Sequence, residues 1–259
     1  MKYLKARIGA TFLGIAISTS AWAQSEGAKW LTPPSLGYVS VTFDDATQSQ
    51  FEEAFPILSA VGIPATLYVN TKVVDVADPF FMSWDEIRLV FKAGWEIGSH
   101  TVTHPALTNM EDVEIVGELA LSRDRIEAEI GSPPKAFASP FGEYDEQILA
   151  HVARYYRSHV RAWGDKDGIN PLNVDPFLIE RVNIDESLTA EAVCSMVQAV
   201  ERGEWLVLMF HQVTGPAGGP YTISPEQFQN IAQCIHETMQ KGNLIADTVS
   251  AVLIQIKKE

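Results

Sequence analysis

Two adjacent carboxylates, Asp44 and Asp45, end the alternating run YVSVTFDD. Adjacent acids repel each other, and burying either without a partner is costly. If one binds a divalent cation, the other can stay ionised beside it and act as a general base towards water. His100 and His104 stand at H-x3-H spacing in GSHTVTHP. Thr101, Val102, Thr103 and Pro105 disfavour a helix there, so a tight loop is expected. In a loop or on a helix, two neutral imidazoles at this spacing reach one ion. An added Asp oxygen makes a His2Asp set with open positions, the pattern of a catalytic rather than a structural zinc site. His211 ends the apolar run LVLMF and suits a general acid for a leaving amine or alcohol. Each signal alone has a plainer reading: Asp-Asp begins capped turns, loop histidines commonly lie on surfaces, and a histidine ending an apolar strand is often a satisfied core residue.

The elements that carry these residues draw them together. Strand patterns at Tyr38–Phe43, Ala65–Val69, Trp95–Gly98, Ala136–Ala138, Ser158–Trp163, Leu178–Val182, Trp205–Phe210 and Leu244–Ala246 alternate with helical patterns. Expected helices include Gln50–Ala60, one opened by the Ser83-Trp84-Asp85-Glu86 capping box, Val113–Ile130, one capped by Asp145, Thr189–Arg202, and one opened by Ser224-Pro225. The segment from Gly164 to Pro176 reads as a polar loop. Repeated βα alternation implies a parallel sheet, and seven or eight units suggest a closed or nearly closed single-domain barrel. An open doubly wound sheet is the alternative, although no Gly-rich phosphate loop follows the first strand. In a barrel the residues after each strand share one rim. That rim would collect Asp44, Asp45, His100, His104, Ser139-Pro140-Phe141-Gly142, Asp165, Asp167, Arg181 and His211.

The chain has 259 residues and a net charge of -14. Lys2, Lys5 and Arg7, the apolar run from Ile8 to Ser18, and Ala21-Trp22-Ala23 read as a signal peptide cleaved near Ala23, with an uncleaved anchor as the alternative. Export to the periplasm or the exterior follows. Residues 24–36 read as a linker and 37–259 as the catalytic domain. Removing residues 1–23, which carry three positive and no acidic side chains, takes the charge to -17. So acidic a chain argues against nucleic-acid or anionic-membrane partners. No later stretch approaches the ~18 apolar residues of a membrane span. Cys194 and Cys234 form either one disulfide or two buried thiols.

TFDD, SHTVTHP, SPFG and LMFH, in this order, resemble the NodB-type polysaccharide deacetylases of carbohydrate esterase family four, from about Tyr38 to the final helix. The resemblance implies a distorted (β/α)7 barrel and a divalent metal, usually zinc, with cobalt or nickel as alternatives. It implies Asp44 as general base, Asp45, His100 and His104 as metal ligands, and His211 as general acid. Phe141, after Pro140, matches the aromatic whose N–H helps hold the oxyanion. Leu208 matches a Leu that lines the acetyl pocket. Two positions depart from the pattern. Ala138 stands where the family has an Arg that orients the base, and Trp163 with Asp165 only approximates the family's Asp-Trp motif. Arg181, on a later strand, is expected to supply the missing charge; the competing reading is an outward salt bridge. The implied substrate is an acetylated glycan, N-acetylglucosamine polymers first. Alternatives are an O-acetyl xylan-type esterase, a deacylase of small cyclic amides, and a non-catalytic glycan-binding protein.

Overall fold

The computed structural model describes residues 36–162, 168–215 and 221–257. The expected signal peptide, residues 24–35, Trp163, Asp165, Asp167 and residues 216–220 lie outside them. All eight residues of β1 (Gly37–Asp44) are buried. Side chains alternate along a strand, so β1 feeds two layers. Val39, Val41 and Phe43 join the main apolar cluster, with Leu58, Val193 and Ile231. Tyr38 packs with Trp205 and Val207 in a second cluster, which Val249, Val252 and Leu253 also join. The polar members of this second face are paired, as buried polar groups need to be. Ser40 donates to the Asp247 carbonyl (2.7 Å) and accepts from the Trp205 indole (3.0 Å). Thr42 donates to the Leu208 carbonyl (2.9 Å). Asp44 is the last residue on that face.

The chain continues through α1 (Phe55–Val61), β2 (Ala65–Val69), α2 (Thr71–Asp75), α3 (Trp84–Lys92), β3 (Glu96–Ser99), α4 (Asp112–Ile130), β4 (Ala136–Ala138), α5 (Glu146–Tyr155) and β5 (Ser158–Val160). It then passes β6 (Ile169–Pro171), β7 (Val182–Asn183), α6 (Ala190–Ala199), β8 (Glu204–Phe210), β9 (Gln212–Val213), β10 (Thr222–Ile223), α7 (Pro225–Gln240), β11 (Leu244–Ala246) and α8 (Val249–Ile256). Parallel pairing runs β5-β4-β3-β2-β1-β8, and β7 lies against β8. A parallel bridge from Val160 to Ile179 joins β5 to the segment leading into β7. Parallel strands thus circle back to β1 as a distorted (β/α)7 barrel. The distortion has local causes. β11 pairs with the first half of β1 and β2 with the second, while β6 runs antiparallel beside β8.

Helix ends follow the sequence. The Ser83 box is closed in both directions with Glu86. Asp145, Thr189, Ser224 and Thr248 each cap a helix through a side-chain oxygen. Gly131 ends α4 at φ 78°, where a Cβ would be strained. Several boundaries differ from expectation, among them the strand expected over Leu178–Val182, which is confined to Val182–Asn183. The segment 50–60 opens with a π-helical turn, Gln50–Ala54, before α1. The helix expected to reach Arg202 stops at Ala199, because Val200 turns extended (φ -62°, ψ 115°). The expected polar loop contains β6, anchored by buried Asn170. Its amide donates to the Gly168, Glu180 and Trp205 carbonyls and its oxygen accepts the Glu180 N–H. Cys194 and Cys234 form a disulfide between α6 and α7. Closing a loop of 40 residues' separation is worth about 4 kcal/mol in the chain-entropy account. No helix among the described residues is long and apolar enough to cross a membrane.

Candidate active site

The carboxyl ends of β1, β3, β4 and β8 border one cavity of about 240 Å³. Asp44, Asp45, His100, His104 and His211 line it, with Ser139, Phe141 and Gly142 on one side and Met209 and Tyr221 also present. A cleft of about 290 Å³ at the other end of β3 holds Glu96 among largely apolar walls, but none of these groups.

Asp44 faces the barrel interior because it continues the Ser40–Thr42 face. Asp45 would face away on a regular strand. Instead its φ of 75° bends the chain and brings both carboxylates to the rim. The same device recurs around the cavity. Asp45, His104, Phe141 and Tyr221 line it and all have positive φ, and Ala46 and Thr101 adjoin lining residues. Of the described non-glycine residues with positive φ, Ala77 alone is elsewhere. Backbone strain of this kind persists only where surrounding contacts hold it, and it concentrates at functional sites.

Asp45, His100 and His104 offer one donor atom each, all within 4.8 Å of one another. Asp45 Oδ1 lies 3.7 Å from His100 Nε2 and 3.5 Å from His104 Nε2, and the two Nε2 atoms are 3.1 Å apart. Ligands about 2.0–2.2 Å from a tetrahedral ion stand about 3.3–3.6 Å from each other, so this triangle has the size of one face of a zinc site. The tautomer fits as well. His100 Nδ1–H donates to the Ala138 carbonyl (2.7 Å), which leaves its Nε2 lone pair aimed inward. Burial pushes the pKa of both imidazoles down, and His104 is lowered further by His100. Burial and the neighbouring Asp44 charge push the Asp45 carboxyl up. Neutral imidazoles around a carboxylate short of positive charge are what a divalent cation would relieve. The donor set therefore fits a divalent metal.

Arg181 meets Asp44 from the segment leading into β7, which lies beyond β5 from Ala138. Its two terminal nitrogens donate to Asp44 Oδ1 (2.7 Å) and Oδ2 (2.8 Å). Nε donates to the Arg161 carbonyl (2.8 Å), and the guanidinium lies 5.4 Å over the Tyr68 ring. The Arg181 side chain is 0% exposed, so the outward salt-bridge reading does not hold. Burial alone would raise the Asp44 pKa. The Arg181 charge and hydrogen bonds outweigh it, with help from His100 and His211, and hold the carboxyl well below the usual range.

His211 follows β8. Its carbonyl accepts from the Gln50 amide (2.6 Å), its ring lies 5.0 Å from the Tyr221 ring, and burial lowers its pKa. Nδ1 is buried without a partner among the described residues. Phe141 sits 4.7 Å from the His104 ring, and its N–H has no acceptor among the described residues. Pro140 is buried just behind it. One expected residue is corrected. Leu208 is fully buried in the main apolar cluster and does not line the cavity; Met209 does. Trp205, Val207 and Met209 share one side of β8, and Leu206, Leu208 and Phe210 the other. Counting parity back from Trp205 would have found Met209. Tyr221 carried no sequence signal.

The model of the polysaccharide deacetylase family matches residues 32–157. The putative polysaccharide deacetylase YxkH of Bacillus subtilis is 24% identical over 70% of this chain and 67% of its own length. Chitin deacetylase 1 of Cryptococcus neoformans is 26% identical over 61% of this chain, which spans only 35% of that protein. Among solved structures, the Xyl-CE4 domain of a multidomain xylanase from the hindgut metagenome of Trinervitermes trinervoides shares the fold, with a TM-score of 0.61 at 19% identity over 84% of this chain and 90% of that one. By these likenesses the chain resembles the polysaccharide deacetylase family, whose model covers just under half of it.

Proposed function

We propose that the protein is a metal-dependent hydrolase that removes N-acetyl groups from N-acetylglucosamine-containing poly- or oligosaccharides and releases acetate. The observation that carries this reading is the donor triangle of Asp45, His100 and His104 beside an Asp44 held by Arg181. The chitin deacetylase among its relatives favours an N-acetylated glycan. Residues 1–23 are proposed to direct export.

Asp45, His100 and His104 hold the ion, zinc first and cobalt or nickel as alternatives. When bound, it supplies a Lewis acid that polarises the acyl carbonyl and lowers the pKa of water. The rest falls to the chain. Asp44 takes the proton of the attacking water. The Arg181 fork makes it a weak base, yet it keeps the carboxylate ionised and fixes its direction, and each oxygen retains a lone pair. The Phe141 N–H, without another acceptor among the described residues, donates to the carbonyl oxygen as negative charge grows there. Met209 borders the acetyl methyl. His211 gives its proton to the departing sugar amine. The products are acetate and a free amine.

The test is acetate release from N-acetylglucosamine oligomers by chelator-treated and zinc-reloaded protein, beside acetyl-xylan as a competing substrate. Zinc-dependent acetate from the oligomers supports the proposal. Full activity without metal overturns the metal dependence, and turnover of acetyl-xylan alone overturns the N-acetyl assignment.

A further inference from the structure

The H-x3-H loop is gripped from outside the site by one carboxylate on a helix. Glu118 of α4 accepts the backbone N–H of Val102 (2.7 Å) and of Thr103 (2.9 Å) on Oε2, and the Thr103 hydroxyl (2.7 Å) on Oε1. These are the residues between the two histidines. Successive N–H groups next to left-handed positions form a concave nest for an anionic oxygen. Here the flanking residues Thr101 (φ 68°) and His104 (φ 58°) are both left-handed. Two further supports hold other parts of the loop. The Thr71 and Lys72 N–H groups at the start of α2 donate to the Thr101 and Val102 carbonyls (3.3 and 2.9 Å). The His104 N–H donates to Thr101 Oγ1 (3.0 Å). Among the described residues, Glu118 alone accepts from the donors at the loop tip, with charge-assisted bonds. One turn further along α4, Ser122 reaches Ser99 at the end of β3 (2.9 Å), so the same helix fixes both the root and the tip of the loop.

We propose that Glu118 is a positioning residue that sets the spacing of the His100 and His104 donor atoms and thereby the affinity of the metal site. It touches neither the ion nor substrate. Without it, two N–H groups and a hydroxyl turn to water, and the loop tip next to the left-handed His104 loses its anchor, while the Thr101 Oγ1 contact to His104 remains. Outer partners of metal ligands are typically worth about 10–100-fold in metal affinity.

This inference rests on the metal reading of Asp45, His100 and His104. The experiment is zinc titration of the chelator-treated full chain against a chromophoric competitor, with thermal unfolding of each metal-free variant alongside. Glu118→Ala is expected to weaken zinc about 10–100-fold. Glu118→Gln can keep both N–H bonds through its amide oxygen and donate to Thr103, and it is expected to stay within about threefold of wild type. If Glu118→Ala does not fold, Glu118→Asp, one methylene short, takes its place with about tenfold weakening expected. Wild-type affinity in the Ala or Asp variant overturns the inference while leaving the metal reading intact. A wild-type chain that binds no zinc overturns both.

Discussion

Arg181 holds both oxygens of Asp44 in a buried fork, at 2.7 and 2.8 Å, from a segment far along the chain. Ala138 therefore does not leave the carboxylate unsupported. Ala138 lies on β4 and gives its carbonyl to His100, while Arg181 approaches from the segment leading into β7. Charge and geometry at Asp44 depend on a guanidinium arriving within hydrogen-bond reach, and its chain position is secondary. Arg181→Ala should lower kcat for acetate release at least ~10-fold, and breaking a buried pair of this kind typically costs about 3–5 kcal/mol of stability. Arg181→Lys, with one donor head instead of a fork, should recover only part of either. Steady-state kinetics and denaturant unfolding of the three proteins check this; unchanged kinetics in Arg181→Ala would contradict it.

The parity of β8 separates two neighbours by role. Leu208→Ala leaves a cavity in the main cluster, should cost about 2–5 kcal/mol of stability, and should leave KM near wild type in protein that remains folded. Met209→Ala opens the wall beside the proposed acetyl site and should lower kcat/KM for acetylated oligomers more than it lowers stability. The paired measurement is an unfolding curve and a kinetic profile for each variant. The reverse pattern would show that Leu208, not Met209, faces the substrate.

His159 gives a pH signature unconnected with the metal. Its Nδ1–H donates to the Phe177 carbonyl (2.8 Å), so Nε2 accepts from the Ser139 hydroxyl (2.9 Å), and the ring is neutral. Burial pushes its pKa down from 6.5 to about 4. The unfolded chain therefore binds this proton at a higher pH than the folded one. The stability it contributes is fully present above pH 6.5 and is lost as pH falls towards 4. His159→Gln removes that penalty. Relative to wild type, the variant should gain about 2–3 kcal/mol between pH 7.5 and about 4.5, read from urea unfolding at several pH values. Parallel stability profiles would contradict the buried neutral state.

Much of this molecule is legible in its sequence. The eight-residue β1 shows its two faces in sequence, the Ser83 box and Gly131 mark helix ends, and Asp44, Asp45, His100, His104, Phe141 and His211, each placed after a strand, border one cavity. What escaped has physical causes. β6 has three residues, too few for a period to show, and it is held by Asn170, whose partners come from β8 and from Gly168 and Glu180. β8 is buried on almost every residue, so hydrophobicity alone does not say which side chains face the cavity. Tyr221 takes its place through a left-handed backbone that no local pattern announces. Glu118 reads as an ordinary helix-surface acid until the loop it grips is in view.

Asp45, His100 and His104 are proposed to hold one catalytic divalent ion. The most direct measurement is zinc stoichiometry and acetate release on the same samples, for wild type and for Asp45→Ala and His104→Ala. One zinc per wild-type chain is expected, with activity that disappears on chelation and returns on zinc addition, and loss of both zinc and acetate release in each variant. Full activity in a zinc-free chain, or in either variant, would contradict it.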